Sequence, residues 1–487
     1  MHHALQITEI LCYISDLALA TSNDRRAVLN LALTCHAFRE PALATLWRNM
    51  DSIVPLIKCL PHECLEEQDW DGGEIICIKH PPTHLELERL QIYAKYIHQL
   101  GLHGHDLTAR LGSGALVALC ADRTEEILPN LLTLKLTEND RQPLDGLYFL
   151  IGQKLNSISL YLSATACDEI KCLHFLDTLR KRSRFIEKFE ISGPGISLNC
   201  KAFAHLSSLP HVQVLGVKVP NSDEFKRLPV SLQPFPDLRE VTIWTTYLST
   251  ATEMLHRMKP SVLEVLIFHI EDTPCACDVD DLFATMVQHC CCTLKRVYGF
   301  QDEYSDNVGR TEYTYSFRPL LAFPNLEYVW INACISFENM DNTLIHDMAC
   351  AWPHLRELDL GSTSCWGLPS HVTLEGLLEF CKHCPELSSL GLTMDASSTA
   401  PPPPTPDLEA SNPHMEALRV GNSKIGVNQV RAVSRFLRRI YPNLSELSCW
   451  KEDGTAGWLL IRVAWLMVGD IVTTEDDEGP MAAYWTE

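Results

Sequence analysis

The sequence predicts an α/β fold, a curved solenoid of stacked strand–helix units behind a short all-helical segment, and three observations predict it. The phrase WPHLRELDLGST (352–363) sets Leu355, Leu358 and Leu360 just after a proline, which is L-x-x-L-x-L spacing. The phrase recurs as FPDLREVTIWTT (235–246), FPNLEYVWINAC (323–334), CPELSSLGLTMD (384–395) and YPNLSELSCW (441–450). Between the copies lie helical patterns such as ATEMLHRM, DVDDLFATMVQHC, NTLIHDMACA, TLEGLLEFCKHC and VNQVRAVSRFLRRI, with FKRLPVSL as a shorter one. A strand, a loop and a returning helix of this kind make a leucine-rich repeat. No such unit covers its own apolar edge, so neighbours must stack.

The chain divides in order into four parts: a three-helix segment (1–50), a helical connector (51–127), the solenoid (128–456), and a C-terminal cap with an acidic tail (457–487). In the first, Ile7, Ile10, Leu11, Ile14 and Leu17 make one helical stripe. TSNDRR (21–26) breaks it and offers the next N-cap. Val28, Leu31, Ala32 and Cys35 line a second helix, with Leu29 and Leu33 beside them. Pro41 suits the first turn of a third helix carrying Leu43, Leu46 and Trp47. In the connector, EEQDWDGGEI reads as a polar loop. ELERLQIYAKYIHQLGL (86–102) reads as an amphipathic helix with Leu87, Leu90, Tyr93, Ala94 and Ile97 on one side.

The ladder then begins at Leu131, Leu155, Ile186, Val212, Leu238, Leu263, Leu294, Leu326, Leu355, Leu387, Met415 and Leu444, twelve starts 24 to 32 residues apart. The start at Leu294 is degenerate, with Gly299 at its last ladder position. A Pro-rich loop (396–413) interrupts one unit without ending the solenoid. The apolar segment 458–472 caps the last repeat.

Composition narrows the function. The chain has 487 residues, 46% hydrophobic and 21% charged, a folded soluble balance. Its 40 basic and 62 acidic residues give a net charge of −22, which opposes nucleic-acid binding. The start, MHHALQITEI, has no Lys or Arg ahead of an apolar core, so no secretory signal is expected, and the run 458–468 is about half a membrane span. The 20 cysteines are about 4% of residues, too few for a disulfide scaffold. They read as reduced, buried thiols of a cytoplasmic or nuclear protein. Cys275, Cys277 and Cys290 to Cys292, and Cys381, His383 and Cys384, lack paired zinc spacing, so no metal and no cofactor is expected. None of the phosphate-loop, dinucleotide, zinc-protease or nucleophile-elbow motifs occurs, and no catalytic residue is assigned.

Strand alternation points the residue between the last two ladder positions away from the core, onto the concave face. That column reads Lys135, Ser159, Glu190, Gly216, Thr242, Ile267, Tyr298, Trp330, Asp359, Gly391, Arg419 and Ser448. Ile267, Tyr298 and Trp330, with Tyr328 beside them and Asp359 next along, are the expected contacts for a target protein.

The N-terminal phrases ITEILCYISDL and LNLALTCHAFREPALATLWR resemble an F-box. Glu9, Ile10, Leu11 and Ile14 match the E-I-L-x-x-I part of its first helix, and Leu31, Leu33, Cys35 and Phe38 match its apolar-Cys-x-x-aromatic signature. EPALATLWRNMDSIVPLIKCLP resembles the stretch just after the F-box in fungal proteins of basidiomycete type that also carry leucine-rich repeats. Gln6 and Ile7 stand where the family has Leu-Pro, and Phe38 where Trp is common. The resemblance implies a non-catalytic substrate-recognition adaptor of a cullin-type ubiquitin ligase. Ile10, Leu11, Ile14, Leu31, Cys35 and Phe38 would then bind the Skp-family linker, in part as core and in part as interface, while the solenoid holds the target. The alternative is a repeat scaffold with no ligase role, its first helices serving as a cap.

Overall fold

The computed structural model describes residues 7–22, 25–70, 73–103, 109–112, 114–121, 126–137, 144–162, 169–193, 198–219, 235–272, 274–290, 293–301, 316–332, 339–361, 370–397, 410–449 and 456–473. The segment FKRLPVSL, most of the Pro-rich loop and the acidic tail lie outside the described residues. The chain forms two compact units, 1–218 with 234–237, and 219–233 with 238–487.

The first unit opens with helices α1 (Thr8–Ser22), α2 (Arg25–Thr34) and α3 (His36–Arg48), each packed on the other two. Leu11, Ser15, Val28, Ala42 and Thr45 are buried within this segment. Asp16 ties α1 to α3, accepting from Thr45 Oγ1 at 2.8 Å and from Arg48 Nη1 at 3.1 Å. The third helix starts at His36, so Pro41 stands inside it rather than in its first turn. A proline there forgoes one helical hydrogen bond, and burial of its ring within the segment offsets that loss.

The chain then enters a sheet earlier than the ladder pattern predicts. Strand β1 (Asn49–Met50) pairs with a strand at Gln99–His103, which pairs in turn with Thr133–Thr137. The connector keeps its helix at His84–Ala94, where Thr83 and Glu86 cap each other's backbone N–H groups, and adds strands to it. Where EEQDWDGGEI reads as a loop, its described residues lie in strands instead: Leu65–Trp70 runs antiparallel to Gly73–Ile78, beside Ala109–Leu111. Parallel strands at Thr133–Thr137, Ser157–Tyr161, Lys188–Ser192 and Val214–Lys218 complete the unit's sheet in sequence order. The helices Leu144–Leu147, Glu169–Arg182 and Cys200–Leu206 alternate with them.

Among the described residues, the second unit repeats the rule with eight parallel strands in sequence order: Glu240–Thr245, Val265–Ile270, Arg296–Gln301, Tyr328–Asn332, Glu357–Leu360, Ser389–Gly391, Ala417–Gly421 and Glu446–Cys449. A strand thus stands at each of the twelve predicted ladders, and this is the leucine-rich-repeat architecture of strand, loop and helix. Helices at Leu248–Met258, Ala276–Cys290, Asn342–Ala351, Leu374–His383 and Val430–Ile440 return the chain.

The recurring x-P-x-L phrase has a physical role. The residue before each proline plugs the core: Phe235, Phe323, Trp352, Cys384, Asn412 and Tyr441 are all buried, while the prolines are exposed in the turn. After Phe323, Trp352, Cys384 and Tyr441, each at the end of a helix, proline cannot continue that helix and sends the chain into the strand. Trp352 Nε1 donates to Leu320 O at 3.3 Å, and Asn412 Nδ2 to Leu387 O at 2.8 Å, so the polar atoms of these two plugs are also satisfied. The degenerate ladder at Leu294 is resolved by packing. A Cβ at Gly299 would stand 2.5 Å from the Phe268 ring, so that ring from the preceding strand occupies the place of the missing side chain.

Helix Ala456–Thr473 caps the last repeat. It buries Ala464, Trp465, Met467, Val468 and Ile471 against the helix Val430–Ile440 and the last strand, and Trp465 Nε1 donates to Ser423 O at 2.8 Å. Among the described residues, no helix is long and apolar enough to cross a membrane.

Candidate functional site

The site lies on the sheet face of the second unit that points away from the helices. Parallel strands in register stack equivalent side chains about 4.8 Å apart, and the register keeps the predicted outward column intact. Thr242, Ile267, Tyr298, Trp330, Asp359, Gly391, Arg419 and Ser448 are successive partners from strand to strand. Two positions earlier runs a second row, Glu240, Val265, Arg296, Tyr328, Glu357, Ser389, Ala417 and Glu446.

Of the predicted contacts, Ile267, Tyr298, Tyr328 and Trp330 are half-buried on this face. Burial pushes the Tyr298 hydroxyl's pKa up, with Arg296 acting against it, so the phenol stays protonated at neutral pH. The Arg296 guanidinium lies 4.7 Å from the Tyr328 ring centroid, and that of Arg419 lies 5.4 Å from the Trp330 ring. Asp359 behaves differently from the open contact expected of it. Its side chain is 2% exposed and its Oδ2 lies 3.5 Å from Arg419 Nη1, which also donates to Ser389 Oγ at 3.0 Å. The carboxylate reaches two strands along because Gly391 stands between: a Cβ there would be 2.4 Å from Asp359 Cγ and from Oδ2. This end of the ribbon therefore presents the guanidinium of Arg419, a quarter exposed, held by Asp359, Ser389 and the Trp330 ring.

Two more rings widen the patch. Trp244 and His269 stack at 5.5 Å with 6° between their planes, on paired positions of the first two strands. They come directly after the last apolar ladder position, and alternation turns them outward too. Reading a single column misses them, although the same period-two rule applied one step further finds them. Arg419 belongs to the predicted column; its ties to Asp359 and Ser389 carry no local signal because the partners lie 60 and 30 residues away.

The N-terminal residues divide. Leu11 is 3% exposed and belongs to the core of the three helices, while Ile10, Ile14, Leu31, Cys35 and Phe38 are half-buried. The freely exposed apolar side chains are others: Tyr13 at 65% and Leu17 on α1, one turn apart, and Leu29 at 47% and Leu33 at 75% on α2, also one turn apart, with Ile7 at the start. The segment is anchored behind, where Trp47 stacks on Tyr93 at 4.8 Å.

The cysteine groups are placed as core or caps. Cys290, Cys381 and Cys384 are buried, and burial pushes the thiols of Cys381 and Cys384 each up to about 12. A hydrogen bond to Asp278 holds Cys275 protonated, with its pKa pushed up to about 11. Cys291 and Cys292 lie outside the described residues. His383, by contrast, lies on the outer side of its helix, within 4.8 Å of His346 and Cys350.

No protein-family model matches the chain, and no curated protein matches it. Solved structures with a similar trace include the yeast Rad7–Elc1 complex, at 13% identity and a TM-score of 0.42 over 71% of this chain and 76% of that one. An internalin from Listeria monocytogenes is similar at 12% identity and a TM-score of 0.34, over 79% of this chain and 84% of that one. The class that strand order and repeat spacing define is a leucine-rich-repeat solenoid with a helical N-terminal segment.

Proposed function

We propose that the chain is a non-catalytic substrate-recognition adaptor of a cullin-type ubiquitin ligase, working in the cytoplasm or nucleus. Its first helices bind a Skp-family linker and the aromatic face of its second unit binds a target protein. The observation that carries this reading is the exposed apolar set Tyr13, Leu17, Leu29 and Leu33 on a three-helix segment whose sequence resembles an F-box. The aromatic ribbon with its fixed arginines supplies the second half, since Trp, Tyr and Arg dominate the energetics of protein interfaces. The chemistry belongs to other subunits, and this chain contributes proximity.

The test is direct binding of the full-length chain to a purified Skp-family adaptor, alone and as the Leu29→Asp/Leu33→Asp variant. Both side chains project outward, so the variant keeps its core and its circular dichroism. Two anchors at about 2 kcal/mol each predict a loss of roughly 1,000-fold. Wild-type affinity in the folded variant removes this surface from the interface.

A second reading has its own support. The three helices lead directly into β1, the edge strand of the first unit's sheet. They therefore also serve as the cap that a solenoid end requires, and a repeat scaffold without ligase function would need nothing more. If the wild-type chain fails to bind the adaptor, this second reading takes its place.

A further inference from the structure

Helices Asn342–Ala351 and Leu374–His383 are neighbours on the outer surface of the second unit. Each carries two metal-competent side chains one turn apart, His346 with Cys350 and Glu379 with His383, so both pairs face the same way along their helices. Across the gap the ligand atoms of His346, Cys350 and His383 all come within 4.8 Å of one another. Cys350 Sγ is 3.6 Å from His346 Nε2, close to the edge of a zinc tetrahedron with Zn–S of about 2.3 Å and Zn–N of about 2.0 Å. The two imidazole rings meet edge to face at 5.6 Å.

Glu379 prepares this arrangement. Lys382 Nζ donates to Oε1 at 2.7 Å, and His346 Nδ1 donates to Oε2 at 2.6 Å. With Nδ1 committed to the Glu379 carboxylate, the other ring nitrogen, Nε2, is the one turned toward Cys350. A carboxylate behind a histidine, fixing its tautomer and its ring, is the arrangement that metal-ligating histidines use.

We propose that His346, Cys350 and His383 form a zinc site that clips two consecutive repeat helices together, with Glu379 as its positioning residue. The fourth position is open to water or to a partner's side chain. Two imidazoles and a thiolate suit a borderline cation such as Zn2+ and discriminate against Mg2+ or Ca2+, which take oxygen. Binding displaces the Cys350 thiol proton to solvent.

Cobalt reports the site, because a cysteine thiolate on Co2+ gives a sulfur-to-metal charge-transfer band in the near ultraviolet. Metal-stripped full-length chain is titrated with Co2+, then back-titrated with Zn2+ against a chromophoric chelator. One saturable equivalent with that band is expected. Cys350→Ser abolishes the band, whereas Cys277→Ser, at another exposed cysteine, retains it. Glu379→Gln keeps the band and weakens Zn2+ binding about 10- to 100-fold, as loss of an orienting carboxylate does. All three substituted positions are on helix surfaces, and circular dichroism checks that each variant is folded. Absence of a saturable equivalent overturns the proposal, as does a band that survives Cys350→Ser.

Discussion

Gly391→Ala adds one methyl group and tests how the arginine end of the aromatic face is built. The new Cβ would stand 2.4 Å from the Asp359 carboxylate carbon, against about 3.4 Å for an ordinary contact, so the carboxylate must move by roughly 1 Å. Asp359 has nowhere equivalent to go, being 2% exposed and set 3.5 Å from Arg419 Nη1. At that distance an effective dielectric of about 20 gives a gross attraction of about 5 kcal/mol. Desolvation already offsets part of this, and Arg419 is a quarter exposed, so separating the pair should cost about 2–3 kcal/mol. The backbone adds nothing, since Gly391 does not have a positive φ. The assay is a double-mutant cycle by urea unfolding of the full chain at neutral pH. Gly391→Ala should cost about 2–3 kcal/mol in the wild type. With Asp359→Ala present it should be neutral, or stabilising by about 0.5 kcal/mol as Ala replaces Gly in a strand. An equal loss in both backgrounds would mean that the glycine is required for some other reason and that the carboxylate does not lean on it.

The same structure sets three other outcomes. On the proposed adaptor function, Trp330→Ala with Tyr298→Ala should weaken capture of a target by at least about 10-fold while leaving binding to a Skp-family adaptor unchanged, measured side by side by pull-down. Trp352→Ala removes a fully buried plug and its hydrogen bond to Leu320, and should cost about 4 kcal/mol in urea unfolding. The buried thiols set an alkaline limit. Cys381 and Cys384 rise from an ordinary 9.0 to about 12 on folding, so the unfolded chain loses these protons first. Their contribution is whole below about pH 9 and is lost as pH climbs toward about 12, at roughly 1 kcal/mol per thiol between about pH 9 and 10. Unfolding curves of Cys381→Ala/Cys384→Ala should show a shallower alkaline decline.

Much of the fold was legible because a repeat is a local signal. Leu355, Leu358 and Leu360 have to face inward together, and the proline before them has to end a helix, whatever the rest of the chain does. Strands form at every predicted ladder for that reason, including the degenerate one at Leu294. The first strands were illegible: Asn49–Met50 is too short to show a period, and Gln99–His103 lies in the tail of an amphipathic pattern that reads as helix. The antiparallel pair Leu65–Trp70 and Gly73–Ile78 was hidden by its polar composition, which resembles a loop when only one face of a small sheet is covered.

The sequence by itself determined the stacking rule and the outward column, because each depends on spacing within one unit. Only the tertiary structure decided which of those residues are available. Asp359 turned from a contact into a support because Arg419, 60 residues on, reaches back over Gly391. Leu11 became core while Leu33 stayed outside, because three helices compete for one small interior. His346, Cys350 and His383 converge only when consecutive helices lie side by side. Period and punctuation are properties of neighbours along the chain, whereas burial, pairing and convergence depend on neighbours in space.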